Sequence, residues 1–169
     1  MAIDDKSSRS GVHGLTLGDR LGCALSIICA RGCYMDFPIA SLKMWLFPPA
    51  KLSQLHLFID EGDKKLLGYM TWAWFSDETE QRWIAGTMDT IHISEWNEGK
   101  RLWIIDFVTL PGYTELCVKR APLIFPEATV AYTLARRTSG EGVAGHIEWT
   151  RLGTRSRFVR RERLLTVRR

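Results

Sequence analysis

Asp106 is the residue of this sequence whose type and setting point most clearly to chemistry. It is embedded in the run from Arg101 to Leu110, whose other members are mostly large and apolar. An ionised carboxylate in such a run carries a heavy desolvation cost unless it is paired or hydrogen-bonded. Two interpretations are open at this point. Asp106 either points to a solvated end of a sheet or binds backbone amides, or it lies in a cleft where it orients or neutralises a basic group.

The histidines and cysteines form no recognisable metal or catalytic motif. The sequence has no G-x-S-x-G string, no Walker A loop and no H-E-x-x-H string, which excludes the usual serine esterases, P-loop proteins and zincins. Its four histidines are scattered, at His13, His56, His92 and His146. No C-x2-C pair is present, and Cys29 and Cys33 lie at helical spacing in an apolar run, which predicts buried thiols and no metal site. Because no signal-peptide pattern opens the chain, we expect reduced thiols and a cytoplasmic protein.

Hydrophobic periodicity predicts the elements that must position Asp106. Helices are predicted over residues 17–32, 38–46, 76–83 and 113–124, with the second one ended by Pro48-Pro49, and strands over residues 54–59, 66–75, 101–110, 129–134 and 147–152. The turn residues 60–63 join the first two strands as a β-hairpin. This order of elements predicts a single domain of the α/β or α+β class.

Composition and charge narrow the class of protein further. The chain has 169 residues, 46% of them hydrophobic, which is enough for one globular domain with a substantial core. It has no apolar run of about 18 residues, so no membrane span is expected. From Arg151 to the end, eight arginines face the single acid Glu162, so the net charge of +4 is a property of the C-terminal end. No nucleic-acid-binding motif accompanies this charge, and nucleic acid is not an expected partner.

Two strings of the sequence resemble the RTX toxin-activating lysine acyltransferases, the hemolysin C-type activators. They are GYMTWAWFSDE, from Gly68 to Glu78, and WNEGKRLWIIDF, from Trp96 to Phe107. Further matches in the same order are Leu21-Gly22, Phe37-Pro38, Pro111-Gly112, Phe125-Pro126 and Gly145-His146-Ile147. The resemblance runs from about Leu17 to about Gly153, which is most of the chain.

This resemblance implies a fold and an activity. The fold would be GNAT-like, a single domain with a central, mostly antiparallel sheet flanked by helices, and it would use no bound cofactor. The activity would be transfer of a fatty acyl group from acyl carrier protein, as co-substrate, to a lysine of a protoxin-type protein, and a homodimer is expected. The family's catalytic aspartate carries over onto Asp106. Its catalytic histidine does not, because Cys23 stands in that place after Leu21-Gly22.

The replacement of histidine by Cys23 changes the expected chemistry. A thiol is a poorer general base than imidazole but a better nucleophile once ionised. Cys23 would then carry the acyl group as a thioester, with Asp106 assisting proton removal from the accepting amine. The alternative is that Cys23 is an ordinary packed thiol in a catalytically degenerate homologue, which binds acyl carrier protein or a protein partner without turnover. A third hypothesis makes His13 or His92 the base, which requires that one of them lie near Asp106.

The basic C-terminal end has several interpretations. Acyl carrier proteins are acidic, so arginines near the site would steer their docking, and Arg136 and Arg137 are candidates for that surface. A solvated tail, or a terminal amphipathic helix on a membrane or a partner, is also compatible with the pattern. The domain organisation predicted from the matched region is a lead-in over residues 1–14, an acyltransferase-like domain over 15–153 and a basic tail over 154–169.

Overall fold

The chain is described by a computed structural model over residues 14–31, 37–88, 90–136, 143–152 and 155–161. Its helices are α1 (Leu17–Arg31), α2 (Leu42–Trp45), α3 (Phe47–Lys51), α4 (Asp77–Ala85) and α5 (Thr114–Arg120). Its strands are β1 (Leu55–Ile59), β2 (Leu66–Phe75), β3 (Arg101–Thr109), β4 (Val130–Arg136), β5 (Val143–Leu152) and β6 (Arg155–Arg161). Short 3₁₀ turns precede α2, precede β3 and follow α5. Among the described residues, no helix has the length and apolar character that a membrane crossing requires.

The six strands form one sheet in the order β1-β2-β3-β4-β5-β6. Every neighbouring pair is antiparallel except β3 and β4, which are parallel and are joined by the crossover that contains α5. The parallel pairing is short: it matches Trp103 with Tyr132 and Ile104 with Thr133. The result is a mixed α/β domain with an open sheet and helices packed on it, as the sequence predicts.

A β-bulge interrupts the pairing of β2 with β3 beside the acidic residue of interest. Thr71 pairs with Asp106, whereas the next residue, Trp72, pairs with Ile104. Ile105 is therefore the extra residue of the bulge. The bulge begins where the pairing of β3 with β4 ends, so Asp106 lies on the part of β3 that has left its parallel neighbour.

Helices cover both faces of the sheet. On one face, called here the α1 face, Tyr69 and Val108 share a core cluster with Ala24 and Ile27 of α1. On the opposite face, Phe58 and Met70 pack with side chains of α5 and of the segment that follows it, including Cys117, Phe125 and Ala128. Alternation along β2 places Tyr69, Thr71 and Ala73 on the α1 face.

Several residues of the second motif string, Trp96 to Phe107, hold α4 in place. Ser76 caps this helix by accepting a hydrogen bond from the Thr79 backbone N–H at 3.2 Å, and the Glu98 carboxylate accepts from the hydroxyls of both Ser76 and Thr79. At the start of β3, the Trp103 indole N–H donates to Glu80 at 2.8 Å, and the Arg101 guanidinium lies 2.9 Å from the same side chain. These contacts fix α4 to the end of the sheet where β3 begins.

The helix predicted over residues 38–46 is shorter, since α2 begins at Leu42, but it ends at Trp45, just before Pro48-Pro49. The two prolines also lie in the first turn of the next helix, α3, where a missing backbone N–H costs nothing. One expectation about α1 is wrong. Cys29 is exposed and not buried, since the buried stripe of α1 is formed by Ala24, Ile27 and Ile28 and Cys29 lies on the other side of the helix. Cys33, predicted to be buried with it, lies outside the described residues.

The backbone of Arg155–Arg161 forms β6, which pairs with β5 from Leu152 to His146. The sheet thus extends into the segment that we expected to be a basic tail over residues 154–169. A helix in the first part of that segment is ruled out by this pairing. The boundary of the domain at residue 153 remains a prediction.

Candidate active site

The Asp106 carboxylate is held on the α1 face by a buried tyrosine. The Tyr69 hydroxyl donates a hydrogen bond to Asp106 Oδ2 at 2.5 Å. Tyr69 is fully buried, while Asp106 is half-buried, so the carboxylate lies at the border between core and solvent. Hydrogen bonds to an ionised acceptor are among the stronger ones, and this one fixes the position of the carboxylate.

Cys23 lies on the same side of the sheet. It is a free, half-buried thiol in the second turn of α1, and it packs against the core cluster that contains Tyr69 and Val108. The same Tyr69 side chain reaches the Asp106 carboxylate with its hydroxyl. The core cluster against which Cys23 packs thus includes the tyrosine that holds Asp106, and the helix that carries Cys23 covers the face from which Asp106 projects.

Of the two histidines proposed as alternative bases, His92 caps the 3₁₀ turn Ile93–Trp96, with its Nδ1 atom 2.8 Å from the Ser94 hydroxyl. The other, His13, lies outside the described residues, and its role as a base stays a prediction. His56, which was not proposed as a base, shares a face with Phe58 on the side of the sheet opposite Asp106, and burial lowers its pKa to about 4.

A groove of about 760 Å³ lies along the other flank of α1. Its walls are mostly apolar and include Leu21, Leu25, Met44 and Phe47, and His92 is on its rim. Neither Cys23 nor Asp106 lines it. On α1, Leu21 and Leu25 are separated from Cys23 by the buried stripe of the helix, so the groove and the candidate site are on different sides of α1.

The arginines proposed to recognise a carrier protein are less well defined. Arg136 is the last residue of β4 and pairs with Val143 of β5. Arg137 lies outside the described residues. Their contribution to a docking surface remains a prediction.

Tyr69 is the site residue that sequence reasoning did not single out. In the sequence it is one aromatic residue among several in the strand from Leu66 to Phe75. Its role depends on the register that sets Tyr69 opposite Val108 and two residues from the Thr71–Asp106 pair. The available signal was a tyrosine and an aspartate on two neighbouring predicted strands. Which residues of those strands share a face depends on the register and on the bulge at Ile105, and neither is visible in the sequence.

Comparison with known proteins finds a matching family and several similar proteins. A model of the RTX toxin acyltransferase family matches residues 17–144. The RTX-II toxin-activating lysine-acyltransferase of Actinobacillus pleuropneumoniae is 29% identical over 93 residues, which cover 55% of this chain and 56% of that protein. A leukotoxin-activating lysine-acyltransferase of a Pasteurella haemolytica-like strain is 32% identical over 94 residues, covering 56% of each chain.

A more distant relative is the protein-lysine myristoyltransferase of Kingella kingae, 23% identical over 94 residues, which cover 56% of this chain and 54% of that protein. The matched region thus spans little more than half the length of these relatives. The match to the family, over residues 17–144, includes α1 with Cys23 and β3 with Asp106.

Proposed function

Because the chain belongs to the RTX toxin acyltransferase family, we propose that it transfers a fatty acyl group from acyl carrier protein to a lysine ε-amine of a protein. The names of its relatives support lysine acylation, and for two of them they specify activation of a toxin. The observation that carries the proposal is the Asp106 carboxylate fixed by Tyr69 on the face that α1 covers with Cys23. A fixed carboxylate at the border of the core is suited to take the proton of an attacking amine.

The sheet also supports the GNAT-like fold that the family resemblance implies, and with it a place where the acyl donor would bind. Its one parallel pair, β3 and β4, is matched over only two residues of each strand. Beyond Ile104, β3 continues to Thr109 with the bulge at Ile105 and then Asp106. We propose that the acyl donor enters where these two strands separate, so that its thioester reaches Asp106 from the open side of β3. No bound cofactor is needed for this chemistry, because acyl carrier protein brings the activated acyl group.

The proposed route uses Cys23 as a covalent carrier in two half-reactions. In the first, the Cys23 thiolate forms a bond to the thioester carbon, the bond from that carbon to the carrier sulfur breaks, and the departing thiolate takes up the proton that Cys23 had lost. In the second, the lysine nitrogen forms a bond to the same carbon and the Cys23 sulfur leaves. The proton released by the nitrogen passes to Asp106 and then to the Cys23 thiolate, which restores the enzyme.

A second candidate function follows from the replacement of the family's catalytic histidine by Cys23. Because Cys23 stands where the family has its catalytic histidine, the chain would be a degenerate homologue if the thiol is inert. It would then bind acyl carrier protein or a protein partner without turnover. A homodimer and a cytoplasmic location stay predictions for both candidate functions.

Intact mass spectrometry distinguishes these functions. Purified protein is incubated with bacterial acyl carrier protein that bears a myristoyl chain, and we expect one added acyl group, which hydroxylamine removes because it is a thioester. The adduct should be absent from Cys23→Ala and present in the matched control Cys29→Ala, which removes a more exposed thiol of the same helix.

Three other outcomes are informative. Acyl transfer to N-acetyl-lysine amide that persists in Cys23→Ala would eliminate the covalent route and retain the acyltransferase. Failure of the wild-type protein to consume the acyl donor would contradict the enzymatic proposal. In that case, lysine acylation acquired by Cys23→His would establish the degenerate homologue.

A further inference from the structure

Among the described residues, four buried side-chain polar atoms have no hydrogen-bond partner, and two of them belong to α1 and β2, the elements that carry Cys23 and Tyr69. One is the Thr71 hydroxyl, whose residue is fully buried on the α1 face and pairs with Asp106. The other is Nε of Arg20, one turn before Cys23 on α1. A buried donor without a partner costs free energy. Neither atom makes a hydrogen bond in the folded protein, so a bound ligand would find both donors unused.

The Thr71 hydroxyl is close to the carboxylate in the sheet. Thr71 and Asp106 are direct neighbours on β2 and β3, and Tyr69, two residues earlier on the same face, holds the carboxylate. Valine has nearly the shape of threonine and would fill this position without an unsatisfied group. A threonine here therefore supplies a donor that the folded protein itself does not use.

Arg20 lies on the side of α1 that packs against the sheet. Arg20 is four and seven residues before Ala24 and Ile27, which are core residues of α1, and this spacing places all three on one side of the helix. The side chain is half-buried and its Nε atom has no contact with solvent. A guanidinium in such a position is a strong donor for an oxygen that carries negative charge.

We propose that Thr71 and Arg20 bind the carbonyl oxygen of the acyl thioester and stabilise the negative charge that this oxygen acquires during transfer. This inference rests on the proposed function and adds the group that polarises the substrate. When the nucleophile forms its bond to the thioester carbon, the electron pair of the carbonyl bond moves to the oxygen, and it returns when the bond to the leaving sulfur breaks. Donors that are already in place and shielded from water lower the energy of that intermediate.

The test combines turnover with thermal unfolding in Thr71→Val. Release of the carrier thiol from myristoyl acyl carrier protein, with N-acetyl-lysine amide as the acceptor, gives kcat and KM. We expect kcat to fall by about 100-fold with KM within about twofold, as for removal of one donor to such an oxygen. The Tm should not decrease, because the deleted hydroxyl makes no bond in the folded protein, and Thr71→Ser, which retains the hydroxyl, should restore most of kcat.

Thr79→Val is the matched control. Its hydroxyl is also buried but binds Glu98, so its loss should lower the Tm and leave kcat unchanged. For the second donor, Arg20→Gln should lower kcat. A rise in KM alone would assign Arg20 to carrier docking and overturn its place beside Thr71.

The outcomes separate this inference from the proposed function. An active wild-type protein with Thr71→Val at full kcat would overturn the inference and leave the acyltransferase standing. A Thr71→Val variant that loses activity only in proportion to a fall in Tm would overturn it as well. A wild-type protein that does not release the carrier thiol would contradict the proposed function and the inference with it.

Discussion

The hydroxyl of Tyr69, a fully buried residue, donates a hydrogen bond that holds the Asp106 carboxylate in place. Asp106 could be predicted from the sequence because a charged residue stands out in an apolar strand. Tyr69 could not, because its partner is defined by strand register and by the bulge at Ile105. Cys23 could be predicted only by resemblance, since nothing in its local sequence separates it from Cys29.

Removal of the Tyr69 hydroxyl should impair the reaction more than the fold. In Tyr69→Phe the ring still fills the core, but Asp106 loses a charge-assisted hydrogen bond worth about 1.5–3 kcal/mol. We expect kcat for acyl transfer to fall at least about 10-fold with little change in KM. Steady-state kinetics with myristoyl acyl carrier protein measure both constants.

Tyr113→Phe is the control for that variant. The Tyr113 hydroxyl binds Lys65 at 2.8 Å, at the exposed turn between β1 and β2. Its removal should leave kcat and KM unchanged. Equal kcat values for Tyr69→Phe and the wild type would show that Asp106 does not depend on this hydroxyl.

His56 should make the protein less stable in mild acid. Burial lowers its pKa to about 4, whereas an unfolded histidine titrates near 6.5. Between these values the unfolded chain binds a proton that the folded one does not, so the free energy of unfolding falls as pH decreases, by at most about 3 kcal/mol. Urea unfolding between pH 7.5 and 4.5 should show this decrease in the wild type and a smaller one in His56→Leu.

The difference in acid sensitivity is measured relative to each protein's own stability at pH 7.5. At that pH the imidazole is neutral in both states, so any packing cost of His56→Leu is contained in the baseline. If both proteins lose stability equally on acidification, His56 is not the group responsible.

Among the elements, α4 and the segment before β3 explain why the second motif string is recognisable. Glu98, Arg101 and Trp103 each bind a residue of α4 or its cap. These residues build the scaffold, and only Asp106 of that string reaches the candidate site.

The strands with alternating or continuous apolar residues were predictable, whereas β6 was not, because its arginine-rich sequence gives no apolar alternation. The short helix α3 was not predicted, because its two prolines are compatible with either end of a helix.

Gly99 should tolerate no side chain. A Cβ atom at this position would lie 1.9 Å from the backbone oxygen of Phe75, where the segment before β3 passes the end of β2. We expect Gly99→Ala to lower the free energy of unfolding by at least about 2 kcal/mol, since backbone must move. Chemical denaturation measures this change.

Gly22, unlike Gly99, has space for a Cβ atom, so alanine should be tolerated there. It lies within α1, and a Cβ atom there meets nothing within 4 Å. Gly22→Ala should raise the free energy of unfolding by about 0.5–1 kcal/mol through helix propensity. Similar values for Gly22→Ala and Gly99→Ala would contradict the close passage of the backbone at Gly99.

Over the whole molecule, positive charge is concentrated toward the C-terminal end of the chain, in contrast to the slightly acidic remainder. The class of the fold and most of its elements could be predicted because periodicity is a local property. The faces on which helices pack, and therefore the shared location of Cys23 and Asp106, depend on the assembled sheet. They were expected only through the family resemblance.

Arg136 and Arg137 should assist the encounter with an acidic carrier. Replacing Arg136 and Arg137 together by glutamate should raise KM for acyl carrier protein by roughly 10-fold at low salt, with kcat unchanged. The effect should diminish as ionic strength increases because salt screens exposed charges. The double control Lys64→Glu/Lys65→Glu changes the net charge equally at the exposed turn between β1 and β2, and should leave KM nearly constant. Equal KM values for the two double variants would reject Arg136 and Arg137 as the docking surface.

The most direct measurement is the rate of acyl transfer from myristoyl acyl carrier protein to N-acetyl-lysine amide in Asp106→Asn. Loss of the proton acceptor should reduce kcat by at least about 100-fold while the Tm stays close to that of the wild type. Glu115→Gln, which neutralises an exposed acid of α5, should retain full activity. An Asp106→Asn protein that transfers the acyl group at the wild-type rate would contradict the assignment of this carboxylate to the reaction.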